Sequence, residues 1–361
     1  MSSLKVKPEE MLKLALKKAL EAGAKEAEAY ISVTRTYEVE IEKLDVKAAD
    51  SDVSAGLGVR VSVGKGRVGF SYVGGLRGDE VEKAPFKAVK VALTRRADPF
   101  FKGFPSPPSS FPKIEGICDE ELIHIKPEEI VNMAVQMVNS AKGVSERVKA
   151  GSGFVSAFVT RVFIANTLGL YGDYVKTGVK LYMWVVAEEA GEKGVGYEYS
   201  TSTSVKNVDP VKVGEEAAKL AVKQLGKKAV KGGVMDVILH PIAVADLFSN
   251  TLIPGVNGEN EVKGRTPLKG SENSPVASSE LTIVDNGLLP YGLGSSPFDG
   301  EGVPRRETTI IERGVFKGFL YDTYWGVRAG RETTGNAYRF DYASEPRVYI
   351  SNLCLLYTSP S

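Results

Sequence analysis

Apolar positions run through this chain in two rhythms, one at helical spacing and one of period two. Met11, Leu12, Ala15, Leu16, Ala19 and Leu20 form a helical stripe, opened by Pro8 with Glu9 and Glu10 and stopped by Gly23. Ala29–Val33 and Tyr37–Ile41 then alternate as strands do. Gly56–Val63 and Arg67–Tyr72 predict a hairpin about Gly64-Lys65-Gly66. A second helix from Asp79 to Leu93 closes the unit, despite Pro85 in its first turns.

The same order then recurs. Lys126-Pro127-Glu128-Glu129 opens a helix whose Ile130, Met133, Ala134, Met137 and Val138 share one face. Strands are expected around Phe154–Ala165, Tyr174–Glu188 and Val195–Thr201. Asp209-Pro210 caps a helix with Val213, Ala217, Leu220 and Ala221 inward, ending at Gly226. Helix, strands, helix thus occurs twice, which predicts an α+β fold with duplicated units at 1–103 and 113–230. Between them lies 104–112, whose prolines favour an extended, semi-rigid linker.

The third region, 231–353, reads as mainly β. It predicts a strand over Val234–Leu239, a short helix over Pro241–Leu252 with Ile242, Ala245, Phe248 and Leu252 inward, and a strand over Leu281–Val284. A hairpin follows, Thr308–Glu312 with Val315–Leu320 about Arg313-Gly314. The polar stretch from Pro254 to Ser279 is long enough to suggest a functional or disordered loop. Residues 354–361, CLLYTSPS, match one frame of a transposase sequencing adapter. They are expected to be a non-native tail, with the third domain truncated near Leu353.

Composition narrows the classes. The chain has 361 residues, 43% hydrophobic and 25% charged, enough for two or three cored domains. A net charge of +1 without a basic cluster argues against nucleic acid as a partner. No apolar run reaches the roughly 20 residues that span a bilayer, and the Lys-rich, amphipathic N-terminus lacks a secretory apolar stretch. A cytoplasmic location without membrane contact is the expectation.

Candidate chemistry is sparse. Cys118 and Cys354 give neither a disulfide framework nor ligand spacing, and His124 and His240 are the only histidines. Carboxylates at Glu259, Glu261, Asp299 and Glu301 stand in glycine-rich loops, where they could hold a hard cation or cap turns. Glycine clusters at 255–258, 292–296 and 335–337 would suit either a cleft that takes an extended peptide by strand addition or plain tight turns. Tyr321, Tyr324 and Trp325 have the spacing of a core or interface face.

One block is more specific. Ser295 to Arg339, SSPFDGEGVPRRETTIIERGVFKGFLYDTYWGVRAGRETTGNAYR, resembles the C-terminal region of the TldD/PmbA family, zinc metallopeptidases and their non-catalytic partner subunits. Arg161–Gly169 is similar to the motif before that family's central strands. Catalytic members carry His-Glu-x-x-x-His upstream; those positions fall here on Ser249, Asn250 and Pro254, and none is a normal zinc ligand. The resemblance therefore implies the PmbA or TldE branch: a non-catalytic subunit of a cytoplasmic zinc metalloprotease that degrades or matures peptides. It implies a TldD-type catalytic partner, zinc in that partner only, and no metal or cofactor in this chain. One wall of a peptide cleft would come from Asn257, Gly258, Ser296, Asp299, Gly300 and Asn336. Two alternatives remain, a stand-alone hydrolase with a loop-carboxylate metal site and a protein that binds DNA or gyrase.

Overall fold

The computed structural model describes residues 7–357. The first unit is α1 (Pro8–Glu21), β1 (Glu26–Glu42), β2 (Asp45–Ser62), β3 (Val68–Gly74) and α2 (Gly78–Thr94). After a short α3 (Glu120–His124), the second is α4 (Pro127–Val144), β4 (Val148–Asn166), β5 (Tyr171–Glu189), β6 (Glu192–Ser202) and α5 (Pro210–Lys223). The strands run further than local alternation indicates. The two short strands expected between Ala29 and Ile41 are one 17-residue strand, and β2 begins at Asp45 rather than Gly56.

The two units share one antiparallel sheet, in the order β3-β2-β1-β4-β5-β6. The join is the β1–β4 ladder, from Glu28 opposite Asn166 to Glu42 opposite Ser152. Side chains alternate across a strand, so residue parity sorts the two faces. Ala29, Ile31, Val39 and Ile41 of β1, Val59 of β2 and Val155 of β4 face the helices, in two cores under α1–α2 and α4–α5. Glu28 and Tyr30 of β1, Arg60 of β2, Ile164 of β4 and Tyr174 and Lys176 of β5 have the opposite parity and point to the other face. Each fully buried Leu or Ile, such as Leu12 or Ile31, contributes about 1.5–3 kcal/mol.

The duplication is visible where the second helix of each unit crosses its third strand. A Cβ on Gly69 of β3 would lie 2.1 Å from the Ala88 carbonyl of α2, and one on Gly196 of β6 would lie 2.3 Å from the Ala217 carbonyl of α5. Glycine is required at both because helix backbone occupies the space of a side chain. The segment 104–112 is packed down rather than free. Phe104 is buried, Asn166 donates to the Pro105 carbonyl at 2.7 Å, and the Phe111 ring meets Phe298 at 4.9 Å.

The third region contains α6 (Pro241–Asn250), α7 (Leu252–Gly255), α8 (Gly258–Val262), β7 (Leu281–Asn286), β8 (Glu307–Glu312), β9 (Val315–Phe316), α9 (Thr323–Ala329), β10 (Ala337–Tyr338), β11 (Arg347–Val348) and β12 (Leu353–Tyr357). A small sheet runs β12-β7-β8-β9, and β10 pairs with β11. Its core gathers Val256, Ile283, Ile310, Phe316, Leu320 and Val348, with Phe248 and Leu252 against it. Within the expected non-native tail, residues 354–357 continue β12 along β7; residues 358–361 lie outside the described residues.

One expected element is absent. Val234–Leu239 forms no strand; it is extended chain with Val234 and Ile238 fully exposed. Its alternation is that of a strand, but among the described residues it pairs with no strand of any sheet. The following helix is also interrupted, ending at Asn250 and resuming at Leu252.

Candidate functional site

The sheet face opposite the helices receives the third region. Apolar contact comes from Tyr30, Val162, Ile164 and Leu170 around Phe298, whose ring meets Tyr174 edge-on at 5.0 Å. Beside it lies a buried charge network. Arg60 makes a two-pronged pair with Glu28, at 2.7 and 3.0 Å, and reaches Glu301 at 3.1 Å. Arg339 pairs with the Glu28 oxygen that also accepts from Arg60 Nε, and donates through its own Nε to the Gly300 carbonyl at 2.6 Å. The second Glu301 oxygen accepts the Thr323 N–H at 2.9 Å. Two arginines and two glutamates balance, and every one is at most 7% exposed.

The protonation states follow from that packing. Burial opposes the charge on Arg60, but Glu28 and Glu301 outweigh it and hold the guanidinium firmly protonated. Burial likewise opposes ionisation of Glu301, yet Arg60 and Thr323 hold its carboxyl below the usual range. The neighbouring acids cannot also ionise cheaply. Burial, then the charge of Glu301, raises the Asp322 carboxyl to about 8 and the Asp299 carboxyl to about 6. Asp322 caps α9 by accepting the Trp325 N–H at 2.7 Å, and Tyr324 donates to Asp98 at 2.7 Å. A cavity of about 430 Å³ opens here among Arg60, Asp98, Glu301, Asp322, Tyr324 and Trp325.

A second cavity, about 210 Å³, lies where β5 meets the third region. Three of the residues expected to line a cleft, Ser296, Asp299 and Gly300, border it. Their side chains serve the loop itself. Ser296 donates to the Phe298 carbonyl at 2.8 Å, and Asp299 accepts the N–H groups of Glu301, Val303 and Ala337 at 2.8–3.0 Å. Gly300 leaves the space that the Arg339 stem fills. Asn336 is one shell away, donating to Asp285 at 2.6 Å and to the Tyr349 carbonyl at 3.2 Å. Asn257 and Gly258 do not reach this cavity. Asn257 caps α8 and donates to the Val348 carbonyl at 3.0 Å, while Gly258 packs flush against the Tyr321 ring.

The metal-motif positions are dispersed and chemically unsuited. Ser249 faces an apolar groove with Val244, Phe248 and Ile253. Asn250 donates to the Asp246 carbonyl at 2.8 Å, and the Pro254 carbonyl accepts from Asn260 at 2.9 Å. His240 caps α6 through Nδ1, accepting from Ile242 at 3.4 Å. A catalytic zinc needs three protein ligands and an open position, and these residues do not fit one. Nor do the loop carboxylates pool their oxygens. Glu259 pairs with Lys263, Glu261 accepts from Tyr321 and Glu301 serves Arg60, and no group of three His, Cys, Asp or Glu side chains among the described residues is placed to hold an ion.

Comparison with known proteins accounts for this frame. Residues 27–93 match PmbA/TldA metallopeptidase domain 1, 120–225 the central domain and 232–360 the C-terminal domain. The chain belongs to the PmbA/TldD family. An uncharacterized protein of Methanocaldococcus jannaschii is 31% identical over 96% of this chain and 79% of its own length. A metalloprotease TldD homolog of Haemophilus influenzae is 25% identical over 91% of this chain and 70% of its own. The crystal structure of TldE from Thermococcus kodakarensis superposes with a TM-score of 0.86 at 25% identity, over 97% of this chain and 78% of that one. Family relatives are thus metalloprotease homologues, and the α+β fold is theirs.

Sequence reasoning missed the charge network and the cations of the smaller cavity. Arg60, between Val59 and Val61, is a charge within an apolar strand run, whereas Glu28 sits in the alternation Glu26-Ala27-Glu28-Ala29. Such an interruption signals a partner across a buried face, but identifying that partner requires the fold.

Proposed function

We propose that this chain is the non-catalytic, TldE-like subunit of a two-part peptidase, whose zinc and general base reside in a TldD-type partner. The observation that carries the reading is the pairing of a three-domain family frame with Ser249, Asn250 and Pro254 at the metal-motif positions. Hydrolysis by the family's zinc chemistry needs a polarising metal and a base, and Ser249, Asn250 and Pro254 would supply neither. What the chain offers is a preorganised wall of buried loops suited to positioning a peptide.

Exposed apolar surface supports a partner. Val234, Ile238 and Leu239 project from extended chain, and next to them a groove is lined by Val244, Phe248, Ile253 and Leu353. Contiguous apolar surface of this kind marks an interaction face. A cytoplasmic location accords with the reading, and no helix among the described residues is long and apolar enough to cross a membrane. DNA binding is disfavoured by the net charge of +1.

The test is co-expression with a family member that carries His-Glu-x-x-x-His, followed by affinity capture through a tag on this chain. The reading expects a stable stoichiometric complex containing zinc. Failure to co-purify, with both chains folded, contradicts it.

A further inference from the structure

The smaller cavity holds two basic side chains that form no direct ion pair among the described residues. Lys176 projects from β5 and donates to the carbonyls of Leu293 and Ser295. Arg305 is 7% exposed and donates through one terminal nitrogen to the Gly335 carbonyl at 2.8 Å, while its Nε has no hydrogen-bond partner at all. Neither side chain has a carboxylate oxygen within 4 Å among the described residues. The acids nearby are occupied: Asp299 by three backbone N–H groups, and Asp285 by Ser351 and Asn336. An unpaired buried guanidinium nitrogen forfeits its hydration without compensation. Burial first, and then the like charges of Arg305 and Lys180, lowers the Lys176 ammonium to about 7.

We propose that this cavity is an anion subsite that takes a carboxylate of a bound peptide, either its C-terminal carboxylate or an acidic side chain. The chemistry fits on three counts. A carboxylate would accept from the Arg305 guanidinium and from Lys176, placing an anion between the two like charges. The volume of about 210 Å³ suits a small residue rather than a cofactor. The rim is built from Tyr338 and Tyr349, partly exposed rings 5.6 Å apart that can cover the backbone leading inward.

The inference deepens the peptide-cleft role and rests on it, but its test needs no partner subunit. Binding of N-acetyl-tetraalanine to the isolated chain is measured by calorimetry as the free acid and as the C-terminal amide. N-acetyl-Ala-Ala-Glu-Ala-amide provides the side-chain carboxylate. The free acid, the glutamate peptide or both should bind at least about tenfold more tightly than the tetraalanine amide, the scale of a charge-assisted hydrogen bond in a desolvated site, and the stronger of the two identifies the carboxylate. Lys176→Met and Arg305→Gln should each erase that preference, with thermal unfolding used to confirm that the variants fold. Equal binding of both carboxylate peptides and the amide, or a preference that survives both substitutions in folded protein, overturns the subsite. Neither result bears on subunit pairing, which the co-purification experiment decides separately.

Discussion

Arg60 and Glu301 are 241 positions apart in sequence and meet at 3.1 Å in the buried seam between the shared sheet and the third region. Their contact is the point at which the N-terminal units specify where the family's C-terminal block sits. Glu28 and Arg339 extend it to four charges with no net excess. Replacing one member leaves a buried charge without its partner, which typically costs about 3–5 kcal/mol. Arg60→Met should therefore lower the denaturation midpoint sharply. Adding Glu301→Gln should recover part of the loss, and strict additivity in a double-mutant cycle would show that the two do not act together.

Asp322 gives a pH signature. Its carboxyl is raised from an ordinary value of 3.8 to about 8, so the folded chain retains a proton that the unfolded chain releases. The stability this confers is complete below about pH 4 and is lost as pH rises through about 8. Asp322→Asn keeps an oxygen to accept the Trp325 N–H but cannot ionise. Chemical denaturation at pH 5 and pH 8 should show the variant gaining stability relative to wild type at the higher pH. A constant difference would mean that Asp322 is ionised throughout.

Gly69 and Gly196 test the duplicated packing. A methyl group at either would lie 2.1 or 2.3 Å from a helix carbonyl. Gly69→Ala and Gly196→Ala should each destabilise by about 1–3 kcal/mol, because α2 or α5 must move off the sheet. Melting temperatures unchanged in both variants would contradict the close helix–strand approach.

The sequence carried the local structure well where burial has a period. Met11, Leu12, Ala15 and Ala19 of α1 are buried as their spacing implies, while Leu20 at the stripe's edge is half exposed. What local pattern could not carry was pairing at a distance. Nothing near Glu28 indicates that β1 lies beside Asn166 in β4, so two units expected as separate domains joined by a linker share one sheet. Val234–Leu239 shows the converse, since its strand pattern stays extended chain without pairing to a sheet. For the candidate site, Ser296, Asp299 and Gly300 were legible through the glycine-rich block and do border a cavity. Asn257 and Gly258 belong to a separate cap, and Lys176 and Arg305 become meaningful only when β5 and the loop before β8 are brought together.

The most direct test of the central claim is peptide hydrolysis by separated and recombined subunits. This chain, a His-Glu-x-x-x-His relative and their mixture are assayed on unfolded peptides in the presence of zinc. The subunit reading predicts hydrolysis that requires the relative's motif, is absent from this chain alone, and rises on titrating this chain into the relative until the two are equimolar. Hydrolysis by this chain alone, unaffected by addition of the relative, would contradict it.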